Sequence, residues 1–218
     1  MATPLRSVDV CGLRIAYRRA GAGEPLLLLH GAFSDSREWR RQLDCLSDTL
    51  DVIAVDCPGC GQSDDPPDGF TLQDFSDSLA GFLAVLGVRQ PHVCGLSFGS
   101  MYALALYRPS CPPCMRTRPA RGAGRGDGHL ARRAATRIPH SDGGVLRRRP
   151  ARRATTHQGS HLASVRGTRR RSPMDVAKDL HAQIRGSQLV VLPEVGHGIN
   201  SEAPERFNAA AREFLSSP

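Results

Sequence analysis

Two residues in this chain have the type and setting to do chemistry together, Ser97 and His197. Ser97 is the centre of Gly95-Leu96-Ser97-Phe98-Gly99, which follows the apolar run Pro91-His92-Val93-Cys94 and precedes a helix-like run from Ser100 to Tyr107. A G-x-S-x-G between a strand and a helix reads as a nucleophile elbow, a sharp turn that lifts a serine hydroxyl above a sheet. The flanking glycines are needed because side chains there would strike the neighbouring strand and helix. A serine hydroxyl is a weak nucleophile at neutral pH and needs a base. His197, in Glu194-Val195-Gly196-His197-Gly198 just past the last apolar run, is the natural one. It would take the Ser97 proton and return it to the leaving group. The third element is His30-Gly31-Ala32-Phe33, directly after Leu26 to Leu29. Gly31 lets the backbone turn, and the N–H groups of Ala32 and Phe98 are the expected oxyanion hole. The His30 side chain is read as a buried brace for that loop.

These residues require strands to carry them. Residues 7–19 alternate apolar and polar side chains in two arms about Cys11-Gly12, the pattern of a hairpin. Leu26–Leu29 and Val52–Val55 are unbroken apolar runs, as expected of strands buried on both faces. Residues 38–46 read as a helix, with Trp39 either beside Phe33 at the oxyanion loop or packed in the core. Thr71 and Asp74 make a capping-box-like start for a helix whose stripe is Leu72, Phe75, Leu79, Phe82, Leu83 and Leu86. Near the end come a helix from Pro173 on, a strand over Leu189–Leu192, and an amphipathic helix over Ala203–Leu215 with Phe207 inward. Strands alternating with helices predict an α/β fold with a mostly parallel sheet flanked by helices.

With these motifs in order, the chain resembles the α/β-hydrolase superfamily, and its single-domain esterases, enol-lactonases and C–C bond hydrolases in particular. The likeness rests on Leu28-Leu29-His30-Gly31-Ala32, Val55-Asp56-Cys57-Pro58-Gly59-Cys60-Gly61-Gln62-Ser63-Asp64, Gly95-Leu96-Ser97-Phe98-Gly99 and Val195-Gly196-His197. Glu202-Ala203-Pro204-Glu205-Arg206-Phe207 also resembles the family's last helix. Serine at 97 argues against the epoxide hydrolases and haloalkane dehalogenases, which use aspartate there. The resemblance implies a small-molecule acyl substrate, an ester, lactone or similar bond. It also implies a triad acid on a Gly-x-x-Asp loop. Counting back from Ser172-Pro173, that loop falls on Gly167-Thr168-Arg169-Arg170-Arg171, which holds no carboxylate, so the triad acid is unknown. Asp56 belongs to a structural turn in the family; Asp127, Asp142 and Asp175 are the remaining candidates.

The missing acid belongs to a wider departure. Residues 115–173 hold 16 arginines, no lysine and two acids, a net of +14 in a chain whose total is +8, so the remainder carries −6. That stretch has no aromatic residue and no period of 2 or 3.6, so it is expected to be disordered. The expected organisation is one domain, 1–218, in which 109–172 replaces the family's cap and its sixth and seventh strands. The abrupt Arg/Ala/Gly/Pro composition reads as a shifted reading frame of a G+C-rich gene. Without an acid the activity is expected to be impaired. The alternatives are a catalytically dead hydrolase-like protein, or a nucleic-acid binder using Arg147-Arg148-Arg149 and Arg169-Arg170-Arg171. No aromatic residues interleave those clusters, so no specific nucleic-acid partner is expected. No cofactor or metal is expected either. Cys57-x-x-Cys60 and Cys111-x-x-Cys114 are separated by 50 residues, too many for a zinc ribbon. Seven cysteines, no secretory leader and no 18-residue apolar run predict a cytoplasmic protein with free thiols and no membrane partner.

Overall fold

The computed structural model describes residues 3–106, 163–166, 174–183 and 187–216. Five strands form one sheet in the order β1-β2-β4-β3-β5. They are β1 (Leu5–Val10), β2 (Leu13–Ala20), β3 (Glu24–Leu29), β4 (Leu50–Val55) and β5 (His92–Gly95). The hairpin turns through Cys11 and Gly12, both at positive φ, and the β1–β2 and β2–β4 pairs are antiparallel. The β3–β4 and β3–β5 pairs are parallel, so the sheet is mixed, an antiparallel hairpin on a parallel centre.

The two apolar runs do what their lack of alternation predicted. Every side chain of Leu26–Leu29 and Val52–Val55 is buried. Alternate residues feed opposite faces, as strand geometry dictates. Leu27, Leu29, Ile53 and Val55 join Leu79, Phe82 and Tyr102 on one face. Leu26, Leu28, Val52 and Ala54 join Trp39, Leu43, Leu46 and Phe207 on the other. Burying each such aliphatic side chain contributes about 1.5–3 kcal/mol, so the central strands anchor both cores.

The first face is covered by α2 (Leu72–Val85) and α3 (Phe98–Leu106). The start of α2 is the capping box expected: the Thr71 side chain accepts from Asp74 N–H, and the Asp74 carboxylate takes Thr71 N–H at 2.8 Å. The second face is covered by a 3₁₀ turn (Ser36–Trp39), α1 (Arg40–Leu46) and a C-terminal helix. Trp39 has no exposed surface and packs on Phe207 with ring centroids 6.0 Å apart, which makes it a core residue.

The C-terminal part contains β6 (Ala163–Arg166), α4 (Met174–Gln183), β7 (Gln188–Val191), α5 (Ile199–Glu202) and α6 (Pro204–Ser216). Strands β6 and β7 pair in parallel, Ala163 opposite Gln188 through Arg166 opposite Val191. The expected loss of strands from 109–172 is therefore incomplete, because β6 lies inside that stretch. Its partner is more than 20 residues away, so no local periodicity announces it. The rest of the Arg-rich stretch, with Asp127, Asp142, Cys111, Cys114 and the Gly167–Arg171 loop, lies outside the described residues. No helix among the described residues is long and apolar enough to cross a membrane.

Candidate functional site

The parallel register pairs Leu29 with Gly95, so β3 and β5 end side by side. The two loops that leave them are therefore neighbours. Leu96 N–H donates to the Leu29 carbonyl at 3.0 Å, and the chain then reverses: Gly99 N–H reaches Leu96 O at 2.8 Å and Ser100 N–H reaches Ser97 O at 3.0 Å. Ser97 sits at the apex with φ +51° and an exposed side chain. A non-glycine residue held there stores on the order of 1–3 kcal/mol of strain, which persists only where the surroundings over-determine it. They do so here. A Cβ on Gly95 would stand 2.4 Å from the Gly99 carbonyl, and one on Gly99 would stand 2.3 Å from the Leu29 oxygen. Both obstacles are backbone and have nowhere to move.

On the neighbouring strand end, His30 is buried and bridges two backbone groups. Its Nε2 accepts Cys57 N–H at 3.0 Å, which leaves Nδ1 as the protonated nitrogen, donating to the Gly31 carbonyl at 2.7 Å. The side chain is thus a loop brace. Because a trans peptide points its C=O and N–H in opposite directions, the Ala32 N–H is turned away from His30. Gly31 N–H donates to Glu38 Oε2 at 2.8 Å. A Cβ at Gly31 would lie 3.7 Å from Ser97 Cβ, so this loop flanks the serine directly. Phe98, the first residue of α3, has an N–H with no partner inside the helix. Phe33 follows at φ +61° and is 86% exposed, an aromatic ring standing in solvent beside the loop.

His197 lies beyond β7, exposed, between two glycines. Glu202 holds both: Gly196 N–H donates to Oε2 at 2.8 Å and Gly198 N–H to Oε1 at 3.1 Å. The structure sets Gly31 beside Ser97, with Ala32 and Phe98 the residues that follow each in the chain. Ser97 and His197 are not hydrogen-bonded to each other. The Asp56 carboxylate is buried with both oxygens engaged by backbone: Ser36 N–H donates to one and Gln62 N–H to the other, each at 2.8 Å. Gly61 packs so closely on it that a Cβ would lie 2.3 Å away. Asp56 therefore holds a turn. Asp175 falls in α4. Glu38, Asn200 and Glu202 carry the loops, and reading the motifs alone passed them over. The five-residue spacing from His197 to Glu202, with glycines on either side of the histidine, was the available signal for one of them.

Burial pushes the Cys60 thiol up to about 11 and the Cys94 thiol up to about 12, and pushes Cys57 well above the ordinary thiol value. Such thiols are poor nucleophiles and poor ligands at neutral pH. Among the described residues no group of three or more His, Cys, Asp or Glu side chains is placed to hold a metal.

The sheet, the serine turn and the neighbouring glycine loop define a class. The chain belongs to the alpha/beta hydrolase fold family, whose model matches residues 24–172. Among curated proteins it is similar to the dihydrolipoyllysine-residue acetyltransferase component of the acetoin cleaving system of Cupriavidus necator. The two are 39% identical over 99 residues, 45% of this chain and 26% of that protein. It is also 34% identical to 2-(acetamidomethylene)succinate hydrolase of Mesorhizobium japonicum over 95 residues, 44% of this chain and 34% of that protein. These matches span about a quarter to a third of the relatives' own lengths. Among solved structures, a thermophilic esterase from Thermogutta terrifontis superposes with a TM-score of 0.72 at 25% identity, covering 96% of this chain and 98% of that one.

Proposed function

We propose that this protein is a serine hydrolase acting on an ester, lactone or similar acyl bond of a small molecule. Ser97 is the nucleophile, His197 the base, and the Ala32 and Phe98 N–H groups the oxyanion hole. The observation that carries the reading is Ser97 itself, exposed at φ +51° in a turn built on two glycines and flanked by Gly31. Strain of that kind belongs where a hydroxyl must be presented to a substrate. The esterase and hydrolase names of the relatives point the same way. No triad acid stands in the sequence position where the resemblance requires one, and among the described residues no carboxylate is bonded to the His197 ring to fix its tautomer. Removing that function in serine proteases lowers kcat roughly 10⁴-fold, and a loss of that order is expected here.

The domain reading goes with it: one hydrolase domain whose Arg-rich stretch arose from a shifted reading frame. An alternative frame of codons 109–172 that spells a Gly-x-x-Asp loop supports this, and its absence from every frame sinks it. The activity is tested with p-nitrophenyl butyrate and a fluorophosphonate probe on wild type and Ser97→Ala. Slow hydrolysis and labelling, both lost in the variant, are expected. Ser97-dependent turnover at ordinary enzyme rates contradicts the impairment, and labelling that survives in the variant contradicts the nucleophile.

A further inference from the structure

We propose that Glu202 is the positioning residue of the candidate base, its carboxylate clamping the backbone on both sides of His197. The inference rests on the reading of His197 as base, and its geometry stands independently. The two oxygens take the N–H groups of Gly196 and Gly198, so the peptide chain wraps the carboxylate and leaves His197 at the crest, exposed. Hydrogen bonds to an ionised acceptor are about twice as strong as neutral ones, and two of them on residues flanking a third restrict it on both sides. The loop is closed into a ring, because Glu202 N–H also returns to the Gly198 carbonyl at 2.7 Å. Gly196 is shaped for this partner: a Cβ there would lie 2.5 Å from Oε1 and 2.6 Å from Oε2.

A second link fixes the ring against the serine side. Asn200, fully buried within α5, donates its Nδ2 to the Glu38 carbonyl at 3.1 Å, and its own carbonyl accepts Gln42 Nε2 at 3.0 Å. The Glu38 carboxylate in turn holds Gly31, which borders Ser97. The crest bearing His197 and the loop bearing Ala32 therefore hang from one short helical segment, Ser36–Trp39. Glu202 has no bond to the imidazole; it acts through the loop. In a chain whose triad acid is absent from its expected position, this clamp is the described device that restrains the histidine.

The test uses the full chain with Glu202→Gln and Glu202→Ala. Catalytic groups misplaced by about 1 Å lose on the order of 10²-fold in rate, so E202A is expected to lower kcat for p-nitrophenyl butyrate about 100-fold. KM should stay within about twofold, since the substrate-contacting loop at Gly31 is untouched. E202Q keeps one acceptor oxygen and is expected to fall between E202A and wild type. Hydrogen–deuterium exchange is the second readout: E202A should lose protection at the Gly196 and Gly198 amides while α2 and β3 stay protected. Unchanged kcat together with unchanged exchange overturns the clamp. So does a kcat loss in both variants accompanied by lost protection throughout the sheet, which marks a purely structural role. If wild type shows no Ser97-dependent labelling, the hydrolase reading fails, and the exchange experiment still decides whether Glu202 holds the loop.

Discussion

The serine turn and the histidine loop are built from the same pattern, a reactive residue near glycines at a strand end, and they are held by opposite means. At the serine turn the glycines meet backbone: the Leu29 carbonyl, the Gly99 carbonyl and the Ser100 amide, all within 2.6 Å of a would-be Cβ. At the histidine loop Gly196 meets the tip of a side chain, the Glu202 carboxylate. Backbone in a sheet that feeds two cores has no freedom to retreat, whereas a glutamate on the surface can rotate away. The fold itself holds the first site in shape, and one ionised group holds the second. Damage to the first should therefore appear as lost stability, and damage to the second as lost geometry in a folded protein.

The largest effect expected is at Gly99. Gly99→Ala places a methyl 2.3 Å from the Leu29 oxygen and 2.7 Å from the His30 oxygen, and should destabilise by about 3 kcal/mol or more. Urea unfolding checks this, and a variant as stable as wild type breaks the comparison at its first term. Gly196→Ala comes next. It should turn the Glu202 carboxylate out and remove up to two hydrogen bonds to a charged acceptor, each worth about 1.5 kcal/mol net at this exposed site. Its circular dichroism should remain native while activity falls about as far as in E202A. Gly31→Ala is expected to be smaller still in stability, within about 0.5 kcal/mol, because its methyl meets only ordinary contacts at 3.7–3.8 Å. It does add a methyl beside Ser97, so fluorophosphonate labelling should slow while the melting temperature holds.

The smallest perturbation is chemical. Thiols react as thiolates, so a raised value suppresses reaction at any pH below it. At pH 8, iodoacetamide should modify the exposed Cys11 and Cys45 and spare Cys60 and Cys94, whose burial has pushed them up to about 11 and about 12. Cys94 lies on β5 one residue before Gly95, so its protection reports directly on the serine turn. Mass spectrometry of the alkylated peptides reads this, and Cys94 should become reactive in Gly99→Ala and stay protected in Gly196→Ala. Equal reactivity in the two variants would erase the distinction between the regions.

Much of the central architecture was legible because its signals are local. Unbroken apolar runs at Leu26–Leu29 and Val52–Val55 can satisfy themselves only between two layers, and both are buried. Thr71 with Asp74 is a cap because the two side chains and two amides lie within one turn. The serine motif was legible for the same reason, since a glycine-flanked turn between strand and helix is written in five consecutive residues. The strand at 163–166 was not, because its order comes from pairing with 188–191, and its own residues carry no period. The same limit hid Glu38, whose partner Gly31 is seven residues away across a bend, and Asn200, which reaches 162 residues back to Glu38.

The sequence by itself determined the fold class, the central strands, the serine turn and the neighbouring glycine loop. Each follows from residue types and spacing along the chain, and the serine turn also from the steric demands of Gly95 and Gly99. Only the tertiary structure decided that Trp39 belongs to the core and that Glu202 and Glu38 hold the two loops. Those outcomes depend on which unpaired N–H groups arrive beside which carboxylates once the sheet has formed. A carboxylate is written identically in the sequence wherever it points, and packing alone decides which amide it meets.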